Sequence, residues 1–269
     1  MIDLTSIAAF VRATALAEIV PRFRALAQDD IREKRPGDLV TVADVEAERA
    51  LSRGLEALVP GSVALGEEGV FADPSRLELI AGDRPVWIID PVDGTGNFAK
   101  GRPDFAVIVA YVERGATTAG WIYDPLGDVL VAARRGGGAW CGGQRLRVAD
   151  AAPSEAITGS AYGRTPAGER AAQALAGSGR VGGVSNRGCS GLEYVDVALG
   201  RAHFTLHSRS LPWDHAAGML LVVEAGGVAA FLDGSPYDPR ILDRKPLAAA
   251  NAEAWRLVHD IVTAPPPGP

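Results

Sequence analysis

Apolar residues recur every three or four positions through most of the first 60 residues, which is the pattern of amphipathic helices. Between Thr5 and Ala27 they are Ile7, Phe10, Val11, Leu16, Ile19, Val20 and Phe23. The charged segment Arg32 to Asp38 contains proline and glycine and predicts a loop. Thr41 and Asp44 have the form of a helix-start box, so a second helix is predicted from there until Pro60-Gly61 ends it.

Short continuous apolar runs replace this pattern after residue 68 and predict buried strands. The predicted strands are Val86 to Ile89 and Phe105 to Val112, followed by the hairpin arms Gly120 to Tyr123 and Val129 to Ala133. Asp124 to Asp128 has the composition of the turn that joins these arms.

A segment rich in alanine and proline, from about Ala149 to Pro153, predicts a boundary between residues 1–150 and residues 151–269. Helices and strands alternate after this boundary. The predicted helices lie near Ala167 to Leu175, Gly191 to Leu199, His215 to Ala225 and Glu253 to Val262. The predicted strands lie near Ile157 to Ser160, Ala202 to Leu206 and Val228 to Phe231.

Composition and charge narrow the class of protein. The 269 residues, 47% hydrophobic and 22% charged, can fold as one large domain or two packed ones. The net charge of −6 gives no basic surface for nucleic acid or for an anionic membrane. No run reaches the ~18 apolar residues of a membrane-spanning helix, and the N-terminus lacks the features of a signal peptide. Two cysteines, Cys141 and Cys189, are too few for a disulfide framework. A cytoplasmic protein without nucleic-acid or membrane partners is therefore expected.

The segment from Trp87 to Phe98, WIIDPVDGTGNF, carries the strongest chemical signal. A buried strand places Asp90 at its end, and Asp93 emerges three residues later on the same side. Two carboxylates this close repel each other unless a cation lies between them. Gly94 allows the backbone to approach a ligand, and the N–H groups of Gly94 and Thr95 are placed to bind an anion. Adjacent cation and phosphate sites are what a phosphomonoesterase needs.

Other interpretations stay open on the residues alone. Asp, Pro and Gly are common in solvated turns. A calcium-binding loop would need acidic residues at alternate positions, which this segment lacks. His203 and His207 have the spacing of a zinc pair on a helix, but the residues between them predict a strand, where the two would lie ~13 Å apart. Cys189 is more typical of a small buried residue than of a nucleophile.

The string DPVDGTGNF resembles the central motif of the inositol monophosphatase superfamily, W-x-x-D-P-[IVL]-D-G-T-x-N-F. Asp38 to Asp44 resembles the first motif of that superfamily, and Gly66-Glu67-Glu68 resembles its G-E-E motif. Trp213 to Gly218 resembles its C-terminal W-D-x-A-[AG]-G motif, which Glu224 to Gly227 follows as in the superfamily. These motifs occur in the family's order and at family-like separations, so the resemblance covers most of the chain.

The resemblance implies that Glu67, Asp90 and the Val92 carbonyl bind one metal ion. Asp90, Asp93 and Asp214 would hold a second ion, and a weaker third site would involve Glu67 through water. An all-oxygen ligand set suits Mg²⁺, so two or three magnesium ions are expected.

The resemblance also implies roles around the attacking water. Thr95, paired with Asp44, would orient or deprotonate it, and the N–H groups of Gly94 and Thr95 would hold the phosphate. Structural alternatives exist for each residue. Asp44 and Asp214 also fit helix caps, Glu67 an ordinary solvated acidic residue, and Thr95 a turn hydroxyl. Capping and catalysis are compatible, because an aspartate at a helix start can serve both.

The motifs do not choose the substrate, a small phosphorylated metabolite. Ser190, His207 and Arg209 lie in the less regular segments 186–190 and 207–211, and we expect them to contact it. Many inositol-specific members carry a glutamate seven residues before the C-terminal aspartate, where His207 stands here, so a potential cation replaces an acceptor. An inositol-1-monophosphatase-like activity is expected. Histidinol phosphate, fructose 1,6-bisphosphate and a nucleoside 3′-phosphate are the alternatives.

The resemblance implies a layered αβαβα sandwich of the inositol-monophosphatase and fructose-1,6-bisphosphatase type, in a homodimer. An antiparallel N-terminal sheet and a C-terminal α/β half would each supply ligands, which places the site in the cleft between them. A non-catalytic interaction protein on the same scaffold is the rival hypothesis. Retention of every metal ligand argues against it.

Overall fold

Helices and strands cover most of the chain in the computed structural model, which describes residues 2–149, 156–161 and 165–264. Its helices are α1 (Leu4–Thr14), α2 (Val42–Leu58), α3 (Glu67–Ala72), α4 (Thr95–Ala99), α5 (Pro166–Gly177), α6 (Ser190–Ala198), α7 (Pro212–Glu224) and α8 (Ala252–Thr263). Its strands are β1 (Ile31–Arg35), β2 (Asp38–Thr41), β3 (Val63–Gly66), β4 (Val86–Asp93), β5 (Ala106–Glu113), β6 (Ala116–Asp124), β7 (Val129–Arg134), β8 (Gly138–Cys141), β9 (Gln144–Arg145), β10 (Ile157–Ala161), β11 (Val181–Ser185), β12 (Phe204–Leu206), β13 (Val228–Phe231) and β14 (Pro246–Ala249). Short 3₁₀ or π-helical segments lie at Ala15–Ile19, Val20–Arg22, Gln28–Asp30 and Pro74–Ala81.

Two sheets alternate with three helical layers. The larger sheet has the order β3-β4-β5-β6-β7-β8-β9 and is antiparallel except for the β3–β4 pair. The smaller, mixed sheet has the order β11-β10-β12-β14-β13. Helices α1 and α2 pack on the outer face of the larger sheet, α6 and α7 lie between the sheets, and α5 and α8 pack on the outer face of the smaller one. This is the αβαβα sandwich, and the fold prediction is confirmed.

Strand β4 crosses the larger sheet at a position where both faces are covered, and all eight of its residues are buried. Trp87 and Ile89 contribute to the core beneath α1 and α2, whereas Ile88 contributes to the core beneath α6 and α7. A strand covered on both faces has no polar alternation. The continuous run in the sequence follows from this double burial.

The first helix is shorter than predicted. A regular α-helix ends at Thr14, a π-helical turn covers Ala15–Ile19, and a 3₁₀ turn covers Val20–Arg22. Pro21 cannot donate a backbone hydrogen bond, and its ring disfavours a continued α-helix. The predicted extension to Ala27 is therefore wrong, although the apolar face still packs into the core.

One helical stretch in the described part of the chain, Leu4–Arg22, has a length and mean hydropathy compatible with a membrane span. Length and composition are weak evidence, because core helices also meet these criteria. Ile7, Val11, Ala15 and Ile19 pack against α2 and the larger sheet.

The segment predicted as a loop, Arg32 to Asp38, belongs instead to an antiparallel hairpin of β1 and β2. Gly37 has a φ of +77°, which is a conformation that favours glycine in the turn. Most residues of β1 are exposed or only half-buried, so its sequence is charged and shows no apolar alternation. The sequence pattern therefore does not predict this hairpin.

Strands β3, β11 and β14 were also not predicted. β11 contains Gly182 and Gly183, and β14 contains one proline and two alanines beside its leucine. Glycine, proline and alanine are weak strand formers. These segments form strands because they pair with neighbouring strands of the two sheets. The predicted boundary at residues 149–153 lies, apart from Ala149, outside the described residues, and the division into halves stays a prediction.

Helices α6 and α7 pack closely because both are enclosed between the sheets. A Cβ atom on Gly218 of α7 would lie 2.1 Å from the Cδ2 atom of Tyr194 on α6, whose ring is fully buried. Close helix packing therefore explains the glycine at this position of the C-terminal motif, independently of any role in chemistry.

We expect Gly218→Ala to lower the free energy of unfolding by about 1–3 kcal/mol, the usual cost of overpacking a core. Gly177→Ala is the matched control, since no atom lies within 4 Å of the added Cβ on α5. Urea denaturation of both variants measures the difference. Equal stability of the two would contradict the close packing of α6 on α7.

Candidate metal and phosphate site

A bulge in β4 directs two aspartates to the same face of the larger sheet. Asp90 pairs with Ile108 and Asp93 pairs with Ala106, so three steps along β4 match two steps along β5. Residues three apart on a regular strand face opposite sides, and the extra residue of a bulge resets this alternation. Both carboxylates therefore face the α6/α7 layer, and both are buried.

Three carboxylates from separate elements meet beside this bulge. Ligand oxygens of Glu67, Asp90 and Asp214 all lie within 4.8 Å of one another. Burial, followed by the negative charge of neighbouring carboxylates, raises the pKa of Asp90 and of Asp214 well above the ordinary value. Such a group is stable in its ionised form only when a cation neutralises it.

Asp214 reaches this cluster from the first turn of α7. The helix begins at Pro212 with Leu211 as its N-cap residue. Both the predicted start near His215 and the alternative that Asp214 is an N-cap are therefore wrong. An acidic side chain in the first turn is still favoured by the helix dipole.

Asp93 is held by the start of α6. Its Oδ2 atom accepts hydrogen bonds from the Gly191 N–H at 2.6 Å and from the Cys189 thiol at 3.0 Å. Burial raises the pKa of Asp93, although these donors favour its ionised form. Cys189 is thus a small buried residue, as expected, but its S–H also orients a carboxylate of the site.

Glu67 is the first residue of α3 and contacts the β1–β2 hairpin. The Lys34 ammonium donates to Glu67 Oε1 at 2.6 Å and to Glu68 Oε1 at 2.9 Å, and its side chain is only 3% exposed. Burial disfavours the charge on Lys34, but the Glu67 and Glu68 carboxylates together outweigh burial and raise the Lys34 pKa. The charged pattern of this segment predicts a loop and does not show that Lys34 contacts Glu67.

Thr95 and Asp44 are hydrogen-bonded to each other. The Thr95 hydroxyl lies 2.9 Å from Asp44 Oδ1 and 2.9 Å from the Val92 carbonyl oxygen, and its single proton can be donated to only one of them at a time. Asp44 Oδ2 accepts from the Thr41 N–H at 2.8 Å and from the Thr41 hydroxyl at 2.5 Å, which completes a capping box. Asp44 therefore caps α2 and bonds Thr95 with separate oxygens, and its burial raises its pKa to about 6.

Gly94 connects β4 to α4 and has a φ of +87°. A Cβ atom there would also lie 2.7 Å from the Asp104 carbonyl oxygen, so glycine is required on two grounds. The first N–H groups of a helix have no acceptor within it. The N–H of Thr95 at the start of α4 is placed to meet an anion.

A cleft of about 430 Å³ extends from this cluster. Its lining includes Ser190 and Arg209, the predicted substrate contacts, together with the carboxylates and Gly94. Arg209 is exposed, and the Ser190 hydroxyl donates to the Asp214 carbonyl oxygen at 3.3 Å.

His207 also lines the cleft but is only 3% exposed. Its Nε2 atom lies 2.9 Å from the Thr205 hydroxyl and 4.0 Å from Glu193 Oε2, and its ring stacks on Tyr194. Burial lowers the pKa of His207 to about 3, so the imidazole is neutral. The expectation that His207 supplies a cation is therefore wrong. His203 bonds the Thr158 N–H at the other end of β12, so the structure does not bring the two histidines together as a zinc pair.

An ionic bridge joins the loop before α6 to the N-terminal half. The Arg187 guanidinium donates to Asp104 Oδ1 at 2.6 and 2.8 Å and to Asp196 Oδ2 at 2.8 Å. The Asn97 side chain donates to the Asp104 and Arg187 carbonyl oxygens, both at 2.8 Å. The sequence pattern does not predict this bridge, because Arg187 lies 83 residues from Asp104 and 90 residues from Asn97.

The ligand atoms of this cluster fit a hard divalent cation. The cluster offers carboxylate oxygens, the Val92 carbonyl oxygen lies beside Thr95, and no soft ligand apart from the protonated Cys189 thiol was found among the described residues at the cluster. All-oxygen sets of this kind favour magnesium, calcium or manganese over zinc.

Known proteins are similar to this chain both in sequence and in architecture. The profile of the inositol monophosphatase family matches residues 3–264. Bovine inositol monophosphatase 1 is 34% identical over 86% of this chain and 84% of its own length. A fructose-1,6-bisphosphatase/inositol-1-monophosphatase of Thermotoga maritima is 34% identical over 75% of both chains. The solved structure of an inositol monophosphatase from Thermotoga maritima superposes with a TM-score of 0.80 at 28% identity and covers 96% of each chain.

We expect Thr95→Ala to lower kcat for a phosphate monoester by about 10²–10⁴-fold, the range for positioned proton-transfer groups. KM should change little, because the hydroxyl acts on the water rather than on the bound ester. Thr95→Ser keeps the hydrogen bond to Asp44 and is the matched control. Steady-state kinetics checks this, and equal kcat for the alanine and serine variants would remove Thr95 from the mechanism.

Proposed function

Because the chain belongs to the inositol monophosphatase family, and is therefore a phosphoric monoester hydrolase that uses a divalent metal, we propose that it is a Mg²⁺-dependent phosphatase of small metabolites. The observation that carries this proposal is the convergence of Glu67, Asp90 and Asp214 within 4.8 Å, beside the helix start at Gly94. Carboxylates that bind cations and N–H groups that bind phosphate are both needed to hold a phosphate ester.

We assign the metal ligands as the resemblance implies. Glu67, Asp90 and the Val92 carbonyl would hold one ion, and Asp90, Asp93 and Asp214 would hold another, with a third, weaker site that would involve Glu67 through water. Bound Mg²⁺ supplies charge neutralisation of the phosphate and a water of lowered pKa. The position of Asp93 supports its role, since Gly191 and Cys189 fix one oxygen and leave the other available.

The chain's own groups orient the reactants. The Thr95 hydroxyl donates to Asp44 Oδ1 and keeps its lone pairs for a hydrogen of the attacking water. Asp44 is a stronger base than an ordinary carboxylate because burial raises its pKa, so it can take up that proton through Thr95. The N–H groups of Gly94 and Thr95 hold the phosphate. In-line displacement then gives the alcohol and inorganic phosphate directly.

An inositol 1-phosphate is the first candidate substrate, since several relatives carry the name inositol monophosphatase. A sugar bisphosphate is the second candidate. Arg35, Lys100 and Arg209 line the cleft, are exposed, and form no ion pair within the described part of the chain. Three such cations favour a substrate with a second anionic group.

Assembly and location follow the family resemblance. We propose a homodimer in the cytoplasm that binds neither nucleic acid nor membrane. The acidic net charge and the two unpaired cysteines, Cys141 and Cys189, support this proposal.

We expect Asp90→Asn to lower kcat by several orders of magnitude at saturating Mg²⁺, since it removes a charge that both main sites share. The melting temperature should stay or rise, because the change relieves repulsion among buried carboxylates. Phosphate release and thermal denaturation are measured, with the exposed Asp83→Asn as the matched control. A near-normal kcat in Asp90→Asn would sink the phosphatase assignment and favour an interaction protein.

Substrate choice is tested at His207 and Glu193. A glutamate at position 207 would face the Glu193 carboxylate, now 4.0 Å from His207 Nε2. We therefore expect His207→Glu with Glu193→Gln, rather than His207→Glu alone, to raise kcat/KM for myo-inositol 1-phosphate relative to fructose 1,6-bisphosphate. The expected gain is roughly tenfold, the value of one hydrogen bond to a charged group.

Glu193→Gln alone is the control for this experiment, and histidinol phosphate and a nucleoside 3′-phosphate complete the substrate panel. A ratio that is the same in the double variant and in the control would show that position 207 does not contact the alcohol.

A further inference from the structure

A half-buried carboxylate outside the metal cluster holds the backbone that carries Glu67. Glu48 lies on α2, four residues after Asp44. Its Oε2 atom accepts from the Glu68 N–H at 2.7 Å, and its Oε1 atom accepts from the Gly69 N–H at 2.8 Å. These N–H groups belong to the first turn of α3, where a helix has donors without internal acceptors. Both oxygens of Glu48 thus bind the turn that begins at Glu67.

Gly66 shows how closely Glu48 approaches this turn. A Cβ atom on Gly66 would lie 2.1 Å from the Glu48 carboxyl carbon, and the three nearest atoms all belong to Glu48. Gly66 has a φ of −100° and a ψ of 159°, which any residue adopts. Glycine is therefore required at position 66 only because Glu48 occupies the adjacent space.

Glu67 needs such an anchor because its neighbours repel it. Its carboxylate lies within 4.8 Å of ligand oxygens of Asp90, which is buried, and of Asp214, which is half-buried. Lys34 attracts Glu67 from the β1–β2 hairpin, but it binds Glu68 as well and so does not select one carboxylate. Glu48 acts on the backbone, which leaves the Glu67 side chain available to a cation.

We propose that Glu48 is a positioning residue that sets metal affinity by fixing the Glu67–Gly69 turn, without touching metal or substrate. The proposal rests on the assignment of Glu67 as a metal ligand. Outer groups that orient metal ligands typically change affinity by roughly 10- to 100-fold when they are removed. The same helix therefore serves the site twice: Asp44 binds Thr95, and Glu48, one turn later on the same face, binds the Glu67 turn.

A purely structural cap is the competing explanation, and α2 offers a matched control. Glu56, two turns further along the helix, accepts from the Ala64 N–H at 2.8 Å in β3. Glu56→Ala removes a carboxylate-to-backbone hydrogen bond from the same helix but not from the Glu67 turn. It should change thermal stability without changing metal affinity.

The first experiment measures Mg²⁺ binding by titration calorimetry on the metal-free full chain, with substrate absent. We expect Glu48→Ala to weaken binding about 10- to 100-fold, Glu48→Gln to weaken it less, and Glu56→Ala to leave it unchanged. At saturating Mg²⁺, Glu48→Ala should recover most of kcat with an ordinary KM. Equal metal affinity in Glu48→Ala and Glu56→Ala would overturn the proposal.

A double-mutant cycle provides the second experiment and does not depend on the stability of one variant. Gly66→Ala should weaken Mg²⁺ binding by displacing the Glu48 carboxylate, whereas in a Glu48→Ala background it should add little, because the space is empty. Additive effects would contradict the coupling. Glu67→Gln separates the two assignments: unchanged Mg²⁺ binding in that variant would overturn the ligand assignment, and with it the proposal for Glu48.

Discussion

Repulsion among carboxylates at the end of β4 is the constraint on which the rest of the site depends. Glu67, Asp90, Asp93 and Asp214 come from three elements, α3, β4 and α7. Burial raises the pKa of the three aspartates, and neighbouring carboxylates raise the pKa of Asp90 and Asp214 further. The surrounding protein offsets part of this cost with donors: Gly191 and Cys189 for Asp93, and Lys34 for Glu67. A divalent cation would offset the remainder, so the arrangement that is costly for folding is one suited to binding metal.

The layered fold holds these carboxylates in fixed positions relative to one another. Helices α6 and α7 pack on both sheets, so Asp214 and the N–H groups that hold Asp93 are fixed relative to β4. Five helices, α2, α3, α4, α6 and α7, start beside the cluster and present the positive ends of their dipoles there. The same ends that favour the carboxylates also favour a phosphate, which explains how one region can bind cations and anions together.

The residues that we propose to contact the substrate differ from those that we propose to bind metal. His207 is neutral and stacks on Tyr194, within a network that includes Thr205 and the buried Glu193. The cleft thus presents an uncharged ring at position 207. The exposed cations at the mouth of the cleft carry the charge that a substrate meets first. Chemistry and specificity can therefore change independently in this chain.

The sequence by itself determined the family, the layered architecture and the residues of the cluster. DPVDGTGNF and its companion motifs are short continuous segments, so their order and their separations can be seen in the sequence alone. It also gave the long amphipathic helix α2 and the buried strand β4, whose periodicity reflects their own burial. Only the tertiary structure decided the rest. The charged β1–β2 hairpin has no apolar pattern that would predict it. The Arg187–Asp104 bridge and the hydrogen bonds from the Glu67 turn to Glu48 join residues that are far apart in the sequence. The state of His207 was decided the same way: the sequence shows an ionisable side chain, but its charge depends on how completely the neighbouring elements exclude water.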